Sequence, residues 1–157
     1  DPNNNIWALV TDVWRGVGYD YVGYYDHSSW VFHNSVSAPI PEGGFQTIDV
    51  DSLGNVWLGT SSDGLYKFDG STWSNFNSTN SDLPEDDIRS LAIDSNGVKW
   101  IGTHDSGLVL FDDINWITID TSNSDLNCDF IRSIAFDEAG SVWVGNCGVS
   151  VGSFEEL

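Results

Sequence analysis

The stretch Asp51-Ser-Leu-Gly-Asn-Val-Trp-Leu-Gly59 decides the fold, because the chain repeats it twice. The later copies read Asp94-Ser-Asn-Gly-Val-Lys-Trp-Ile-Gly102 and Asp137-Glu-Ala-Gly-Ser-Val-Trp-Val-Gly145. Each copy begins 43 residues after the one before it. Self-similarity at a fixed period of this size indicates a repeat architecture, in which neighbouring units stack and bury a shared core.

Other residues keep the same period. A second tryptophan series and an aspartate series recur every 43 residues, at Trp30, Trp73 and Trp116 and at Asp26, Asp69 and Asp112. The start of the chain departs from it, since the related motif Asp1-Pro-Asn-Asn-Asn-Ile-Trp7 precedes the next copy by 50 residues. The first unit therefore holds about seven extra residues, which we place between Trp14 and Asp20.

Each unit contains four short runs of apolar and β-branched residues. In the third unit these runs span 88–93, 98–102, 108–111 and 116–119. Such runs predict strands, and the Asp-x-x-Gly segments between them predict tight turns in which glycine adopts a positive φ. Four strands in a unit of about 40 to 45 residues are typical of a propeller blade. The sequence thus predicts an all-β fold of four-stranded antiparallel β-propeller blades.

The strand count predicts a partial propeller of about three and a half blades. We divide the chain into an irregular unit at 1–44 with three strands, full units at 45–87 and 88–130, and a truncated unit at 131–157. Propellers protect their edges by closing a ring of four to eight blades, so we expect further blades or a protein partner to complete the ring. The chain opens on Asp1 and contains no Met, which favours a processed or excised piece of a longer protein.

The composition excludes several classes of function. The chain has 24 Asp and Glu residues against 5 Lys and Arg residues, which gives a formal net charge of -19. A surface this acidic repels nucleic acid and anionic membranes. No apolar stretch approaches the roughly 18 residues that a membrane helix needs. We therefore expect no nucleic-acid partner and no membrane insertion.

Three phrases carry a family resemblance: Asp-Gly-Ser-Thr-Trp73, Ser-Thr-Asn-Ser-Asp-Leu-Pro84 and Asp-Ser-Asn-Gly-Val-Lys-Trp-Ile-Gly-Thr103. They resemble the two-component regulator propeller repeat, a ligand-binding sensor-type propeller, over about residues 45–147. The first unit departs from the pattern, because Trp7-Ala-Leu-Val-Thr11 lacks the glycine that follows the motif tryptophan.

The resemblance implies an extracytoplasmic protein of Bacteroidetes-type bacteria, either extracellular or at the cell surface, with the periplasm as the alternative. In that family, the repeats form sensor heads that detect saccharides, and similar repeats occur in large secreted proteins. We expect a non-catalytic module that binds a saccharide or a protein partner on its loop-rich face. One alternative is a structural spacer in a surface adhesin or filament. Another is a lyase-type propeller enzyme.

The enzyme alternative has little support from the residues. A lyase of this type would need a clustered His and Glu pair with Mg²⁺, and the sequence spacing assembles none. No Gly-x-Ser-x-Gly nucleophile elbow occurs, and His27, His33 and His104 lack the spacing of zinc ligands. We expect no catalysis and no cofactor. A Ca²⁺ ion bound between blades stays open, with Asp51, Asp94 and Asp137 as candidates, although turn capping explains these aspartates better.

Two sets of residues are candidates for binding a ligand or partner. Trp14, Tyr19, Tyr21 and Tyr24 fall outside the repeat and could form an exposed aromatic patch. Arg89 and Arg132 recur one period apart at the ends of the long loops 77–87 and 120–129, and His104 lies in a neighbouring loop. Each Arg is expected to pair with a carboxylate such as Asp82 or Asp125, with direct ligand contact as the alternative. The recurrent Trp57, Trp100 and Trp143 are expected to be core residues.

Two covalent features follow from local patterns. Antiparallel pairing places Cys147 opposite residue 131, and Cys128 lies three residues beyond it. A Cys128–Cys147 disulfide suits an oxidising compartment, and two separate thiols are the alternative. Asp51-Ser52-Leu53 resembles a bacterial O-glycosylation pattern of this group, which makes Ser52 a candidate acceptor.

Overall fold

The computed structural model describes residues 1–11, 20–35, 37–42, 44–147 and 151–154. All regular structure in these ranges is β. The fourteen strands are β1 (Ile6–Thr11), β2 (Asp20–Tyr25), β3 (Trp30–His33), β4 (Phe45–Val50), β5 (Val56–Thr60), β6 (Leu65–Phe68), β7 (Trp73–Phe76), β8 (Ile88–Ile93), β9 (Lys99–Thr103), β10 (Leu108–Phe111), β11 (Trp116–Ile119), β12 (Ile131–Phe136), β13 (Val142–Asn146) and β14 (Val151–Phe154).

The strands form four antiparallel meanders that correspond to four blades. The first sheet is β1-β2-β3, the second β4-β5-β6-β7, the third β8-β9-β10-β11 and the fourth β12-β13-β14. Strand β4 of the second sheet lies against β8 of the third, and β8 lies against β12 of the fourth. The predicted all-β partial propeller is confirmed. The extra residues predicted between Trp14 and Asp20 fall mostly outside the described ranges.

Hydrophobic side chains fill the spaces between adjacent sheets. Leu58 and Tyr66 of the second sheet pack with Val22 of the first. Between the second and third sheets, the core contains Trp57, Leu65, Ile101 and Phe111, and a third cluster joins the third and fourth sheets. Each of the two middle sheets therefore buries both of its faces, as stacked repeats require.

The glycine that follows the motif tryptophan lets the next blade approach closely. A Cβ atom on Gly59 would lie 2.5 Å from Cγ2 of Ile88, and one on Gly102 would lie 2.6 Å from Cγ2 of Ile131. Both distances are far below van der Waals contact, so a side chain at either position would push the sheets apart. The Trp-x-Gly pattern thus sets the spacing between blades.

The Asp-x-x-Gly turns hold the motif tryptophans in place. The Asp51 carboxylate accepts hydrogen bonds from the backbone N–H groups of Leu53 and Asn55 and from Nε1 of Trp57, 3.1 Å away. Gly54 in this turn has φ of 85°, a conformation that glycine adopts without strain. The same arrangement recurs at the other motif copies, where the aspartate accepts from Nε1 of Trp100 and of Trp143.

A β-bulge corrects the predicted register near the cysteines. Residues Phe136 and Val142 face each other as expected, but the pairing shifts between Ile131 and Ser133. Ile131 therefore pairs with Asn146 and not with Cys147. The same irregularity recurs at the start of β4 and β8, which makes the bulge a regular feature of the first strand in the second, third and fourth sheets.

The last motif tryptophan differs from the other two in its environment. Trp57 is 0% exposed and Trp100 is 5% exposed, whereas Trp143 is 44% exposed. The prediction of a core position is therefore wrong for Trp143. Trp57 is covered by the following sheet, whereas no sheet lies beyond the fourth in the described part of the chain.

The described residues include no membrane-spanning helix.

Candidate functional site

The long loops between blades are ordered by a repeated aspartate. Asp86 accepts hydrogen bonds from the backbone N–H and hydroxyl of Ser78 across the loop, and Asp129 does the same for Thr121. A backbone hydrogen bond of 3.0 Å from His104 to Asp87 then joins the loop before β8 to the loop after β9. The two kinds of loop thus meet on one face, as predicted, and this face carries the candidate site.

Phe130 brings three of the predicted binding residues together. Its ring centroid lies 4.6 Å from the Arg132 guanidinium carbon and 6.0 Å from that of Arg89. The His104 ring packs on it with centroids 4.8 Å apart. We call Arg89, His104, Phe130 and Arg132 the Phe130 cluster. Phe130 escaped the sequence prediction because the repeat has Asp87 and Gly44 at the corresponding positions.

The two arginines of this cluster differ in their electrostatic environment. Arg89 Nη2 lies 2.6 Å from Asp87 Oδ2 in a half-buried ion pair. Among the described residues, no carboxylate forms an ion pair with Arg132, whose side chain is exposed. The expected partners Asp82 and Asp125 are therefore wrong. The reason is local, since Asp87 sits beside Arg89 and Phe130 takes its place beside Arg132.

The two described lysines, unlike Arg132, form ion pairs with a carboxylate. Lys67 and Lys99 both approach Asp113, with Nζ to carboxylate distances of 3.5 and 2.6 Å. Lys99 is fully buried, and its Nζ lies 4.6 Å from the Trp57 ring centroid. Both lysine ammonium groups are therefore paired with Asp113 and lie near the Trp57 ring. Arg132 stands apart from them as an exposed guanidinium on an aromatic ring, with its N–H fork available to a planar carboxylate.

A cluster of metal-ligating side chains lies beside His104. One ligand atom each of Glu85, His104 and Asp105 lies within 4.8 Å of the others. Sequence spacing alone does not predict this His and Glu pair, because the two residues are 19 positions apart and only the packing of two loops joins them. The expectation that no such pair exists is therefore wrong for Glu85 and His104.

The predicted aromatic patch is only partly described. Trp14 and Tyr19 lie outside the described residues. Tyr21 contacts the edge of Phe32 on β3, whereas Tyr24 points to the opposite face of the sheet and packs on Trp7 with centroids 4.7 Å apart. Tyr21 and Tyr24 therefore do not share a surface.

The outer face of the first sheet instead carries a row of aromatic rings. Trp30 stacks on both Phe32 and Tyr25, with centroids 5.8 and 5.2 Å apart, and it is exposed. Gly23 makes room for this stack, because a Cβ atom there would lie 3.0 Å from the Phe32 ring. Sequence reasoning assigned Trp30 to the repeat and so missed its exposure.

The candidate calcium ligands are occupied by their own turns. Asp137 accepts hydrogen bonds from Nε1 of Trp143 and from the backbone N–H groups of Ala139 and Ser141. The bond from Trp143 is the largest contribution that lowers the pKa of Asp137. At Asp51, burial raises the pKa, but hydrogen bonds from Asn55 and Trp57 outweigh it and lower the pKa overall. Asp94 has the same contacts, so these carboxylates act as turn caps.

The Asp-x-x-Gly turns line a concavity of the surface. A cleft of about 390 Å³ lies between the Asp94 and Asp137 turns, and its walls include Trp100 and Phe136. Ser52 lies exposed in the Asp51 turn, and its glycosylation stays a prediction.

The structure joins Cys128 and Cys147 in a disulfide, with a Cα–Cα distance of 6.2 Å. Cys128 lies in the loop before β12 and Cys147 directly follows β13. The bond therefore links the two kinds of loop that meet at the candidate site.

Several solved structures share this fold. The chain is similar to the extracellular domain of a protein from B. thetaiotaomicron described as a hybrid two component system, with a TM-score of 0.70 and 19% identity, covering 99% of this chain and 22% of that one. It is also similar to PorZ, a surface component of the type-IX secretion system of Porphyromonas gingivalis, with a TM-score of 0.64, 18% identity and coverage of 98% and 24%. A streptogramin B lyase gives a TM-score of 0.67 at 12% identity, covering 85% of this chain and 44% of the lyase.

These similarities establish the propeller fold, and the first matches the repeat type that the sequence resembles. The chain spans between about a fifth and just under half of the length of these structures. No family model matches the chain, and no curated protein is significantly similar to it.

Proposed function

We propose that this chain is part of a non-catalytic, extracytoplasmic β-propeller that binds an acidic saccharide at the Phe130 cluster. The observation that carries the proposal is Arg132, an exposed guanidinium that lies on an aromatic ring and has no carboxylate partner among the described residues. Its neighbour Arg89, one period earlier, has such a partner in Asp87.

A uronate sugar fits the chemistry of this surface. Its carboxylate can accept two parallel hydrogen bonds from the Arg132 fork. The apolar face of its ring can pack beside Phe130 and His104, whose rings supply contact area at a low cost in side-chain entropy. The strongly negative net charge of the chain repels polyanions at long range, so recognition depends on the local contact with Arg132.

The placement of the cluster also supports the proposal. It lies where two ordered loops meet, on a rigid scaffold of sheets, which is the usual place for recognition residues. The similarity to an extracellular domain of a two component system agrees with an extracytoplasmic location. The lyase among the similar structures supplies the fold alone at 12% identity.

The test is a calorimetric titration with two oligosaccharides of equal length, one of galacturonate units and one of neutral galactose units. We expect binding of the acidic sugar, at least about a tenfold weaker affinity in Arg132→Ala, and partial retention in Arg132→Lys, which keeps the charge but loses the fork. Lys67→Ala is the matched control, because it removes one positive charge elsewhere. Equal binding of both sugars, or an unchanged affinity in Arg132→Ala, would refute the proposal.

A protein interface at the end sheets is the second candidate. Within the chain, the motif tryptophan of one sheet contacts an aromatic ring of the next sheet. Trp7 contacts Phe68 in this way, and Trp57 contacts Phe111, each with ring centroids 6.1 Å apart. In the described part of the chain, Trp143 has no such neighbour, and Tyr25, which occupies the position of Phe68, contacts no motif tryptophan of another sheet. We propose that the face bearing Trp143 docks on the face bearing Tyr25 of a second copy.

Analytical ultracentrifugation over a range of concentrations tests this interface. We expect self-association that Trp143→Glu weakens and that Ile117→Glu, at a similarly exposed position on β11, leaves unchanged. A chain that stays monomeric throughout would contradict it.

A further inference from the structure

The disulfide positions have counterparts one period earlier. Glu85 precedes Cys128 by 43 residues, and His104 precedes Cys147 by the same interval. Cys128 and Cys147 link the loop before β12 to the end of β13. Glu85 and His104 hold the same places relative to β8 and β9, so the packing of the blades brings them together in the same way.

Asp105 completes the group. His104 Nδ1 lies 3.0 Å from Asp105 Oδ2, and the backbone N–H of Asp105 donates to Glu85 Oε2 over 2.8 Å. One ligand atom of each of the three residues lies within 4.8 Å of the other two. These contacts come from two separate loops, so a single ion bound to all three would tie the loops together.

We infer that Glu85, His104 and Asp105 bind a Zn²⁺ ion. The ion links these two loops, as the disulfide links the corresponding two loops one period later. One imidazole and two carboxylates are common zinc ligands, and three protein ligands leave a fourth position for water. The imidazole favours zinc over calcium and magnesium, which prefer oxygen ligands.

The three side chains need only small movements to bind one zinc ion. Tetrahedral zinc with bonds of about 2.0 to 2.2 Å brings its ligand atoms to roughly 3.4 Å from one another. The His104 and Asp105 atoms are already closer than that, at 3.0 Å. Glu85 is half-buried and Asp105 is exposed, so side-chain rotation can close the group while one side stays open to solvent. The adjacent carboxylate of Asp86, which accepts hydrogen bonds from the neutral groups of Ser78, adds to the negative potential that attracts a cation.

The loop pair one period earlier, between the first and second sheets, supplies an internal contrast. There the corresponding positions are Glu42 and Ser61, and a serine hydroxyl is a poor zinc ligand. Along the chain, the first loop pair thus has a Glu and a Ser, the second has a Glu and a His, and the third has two Cys residues. We expect zinc to bind only at the second of these pairs.

The first test is calorimetry with ZnCl₂ on the 157-residue chain under non-reducing conditions. We expect one equivalent of Zn²⁺ to bind, no detectable binding in His104→Ala, and at least about tenfold weaker binding in Glu85→Gln and Asp105→Asn. Glu42→Gln and His27→Ala are matched controls that should bind as the parent does. Unchanged zinc affinity in His104→Ala, or calcium affinity equal to that for zinc, would overturn the assignment.

A second test examines the equivalence of the two loop pairs without any metal. The double variant Glu85→Cys/His104→Cys should form a disulfide in air, seen as the absence of additional free thiols, because its geometry copies that of Cys128 and Cys147. Two persistent free thiols would show that the two loops are not held at the distance found between Cys128 and Cys147, and would contradict the proposed zinc link. Arg132→Ala should bind zinc normally, so failure of saccharide binding and failure of zinc binding can be told apart.

Discussion

Two junctions of the molecule are built on one plan and differ in chemistry. The inner junction joins the second and third sheets, and the outer junction joins the third and fourth. Both use the close approach at the motif glycine, at Gly59 and at Gly102. At the inner junction, however, the Asp49 carboxylate bridges the sheets by accepting from the backbone N–H of Ile93, 2.8 Å away. The outer junction has Ala92 in the place of Asp49.

The loops above the junctions differ in the same manner. The inner junction carries Glu85 with His104, and the outer one carries a disulfide. Arg89 is neutralised by Asp87, whereas Arg132 lies on Phe130. The repeat thus sets the backbone and the spacing of blades, while substitutions at equivalent positions determine which side chains each junction presents.

The largest expected effect contrasts the motif tryptophans. Trp57→Ala removes a fully buried ring and leaves Asp51 without the Nε1 donor, so we expect a loss of about 3 to 5 kcal/mol in the free energy of unfolding. Trp143→Ala should cost below about 1 kcal/mol, since its ring is partly solvated and no sheet follows it among the described residues. Urea denaturation measures both values. Equal losses would mean that Trp143 is covered in solution.

The next effect concerns the disulfide of the outer junction. Cys128 and Cys147 are 19 residues apart, and closure of a loop of this length contributes about 3 kcal/mol to stability. We expect Cys128→Ser/Cys147→Ser to lose roughly that amount, while Ser61→Ala, at the position of Cys147 two periods earlier, should change little. Two free thiols in the unreduced parent chain would contradict the bond.

The smallest effect is a pH dependence at the inner junction. Burial raises the pKa of Asp49, although hydrogen bonds from Val50 and Ile93 oppose it. The unfolded chain then releases this proton at a lower pH than the folded chain, so the contribution of Asp49 to stability falls as the pH rises from about 4 through the raised pKa.

Asp49→Asn cannot ionise and should escape this loss. The stability of the variant relative to the parent should therefore increase between pH 4 and pH 7 in thermal unfolding. A difference that does not vary with pH would show that Asp49 is solvated in the folded state.

The 43-residue period was sufficient to predict the fold, the strand count and the tight turns, because every blade repeats the same local signals. The candidate site was less accessible to sequence reasoning. Phe130 occurs once and replaces an aspartate, so no periodic signal marks it. Glu85 and His104 become neighbours only when two loops of adjacent strands meet. The bulge at Ile131 likewise depends on how the inner strands pack, and the alternation of residues does not reveal it.

The proposed location of the saccharide site can be measured by ¹⁵N NMR titration of the chain with the galacturonate oligosaccharide. We expect the shift changes to centre on the backbone amides of His104, Phe130 and Arg132, together with the side-chain Nε–H of Arg132. They should disappear in Arg132→Ala. Changes centred instead on Trp30 and Phe32, or on the cleft between Asp94 and Asp137, would contradict a ligand site at the Phe130 cluster.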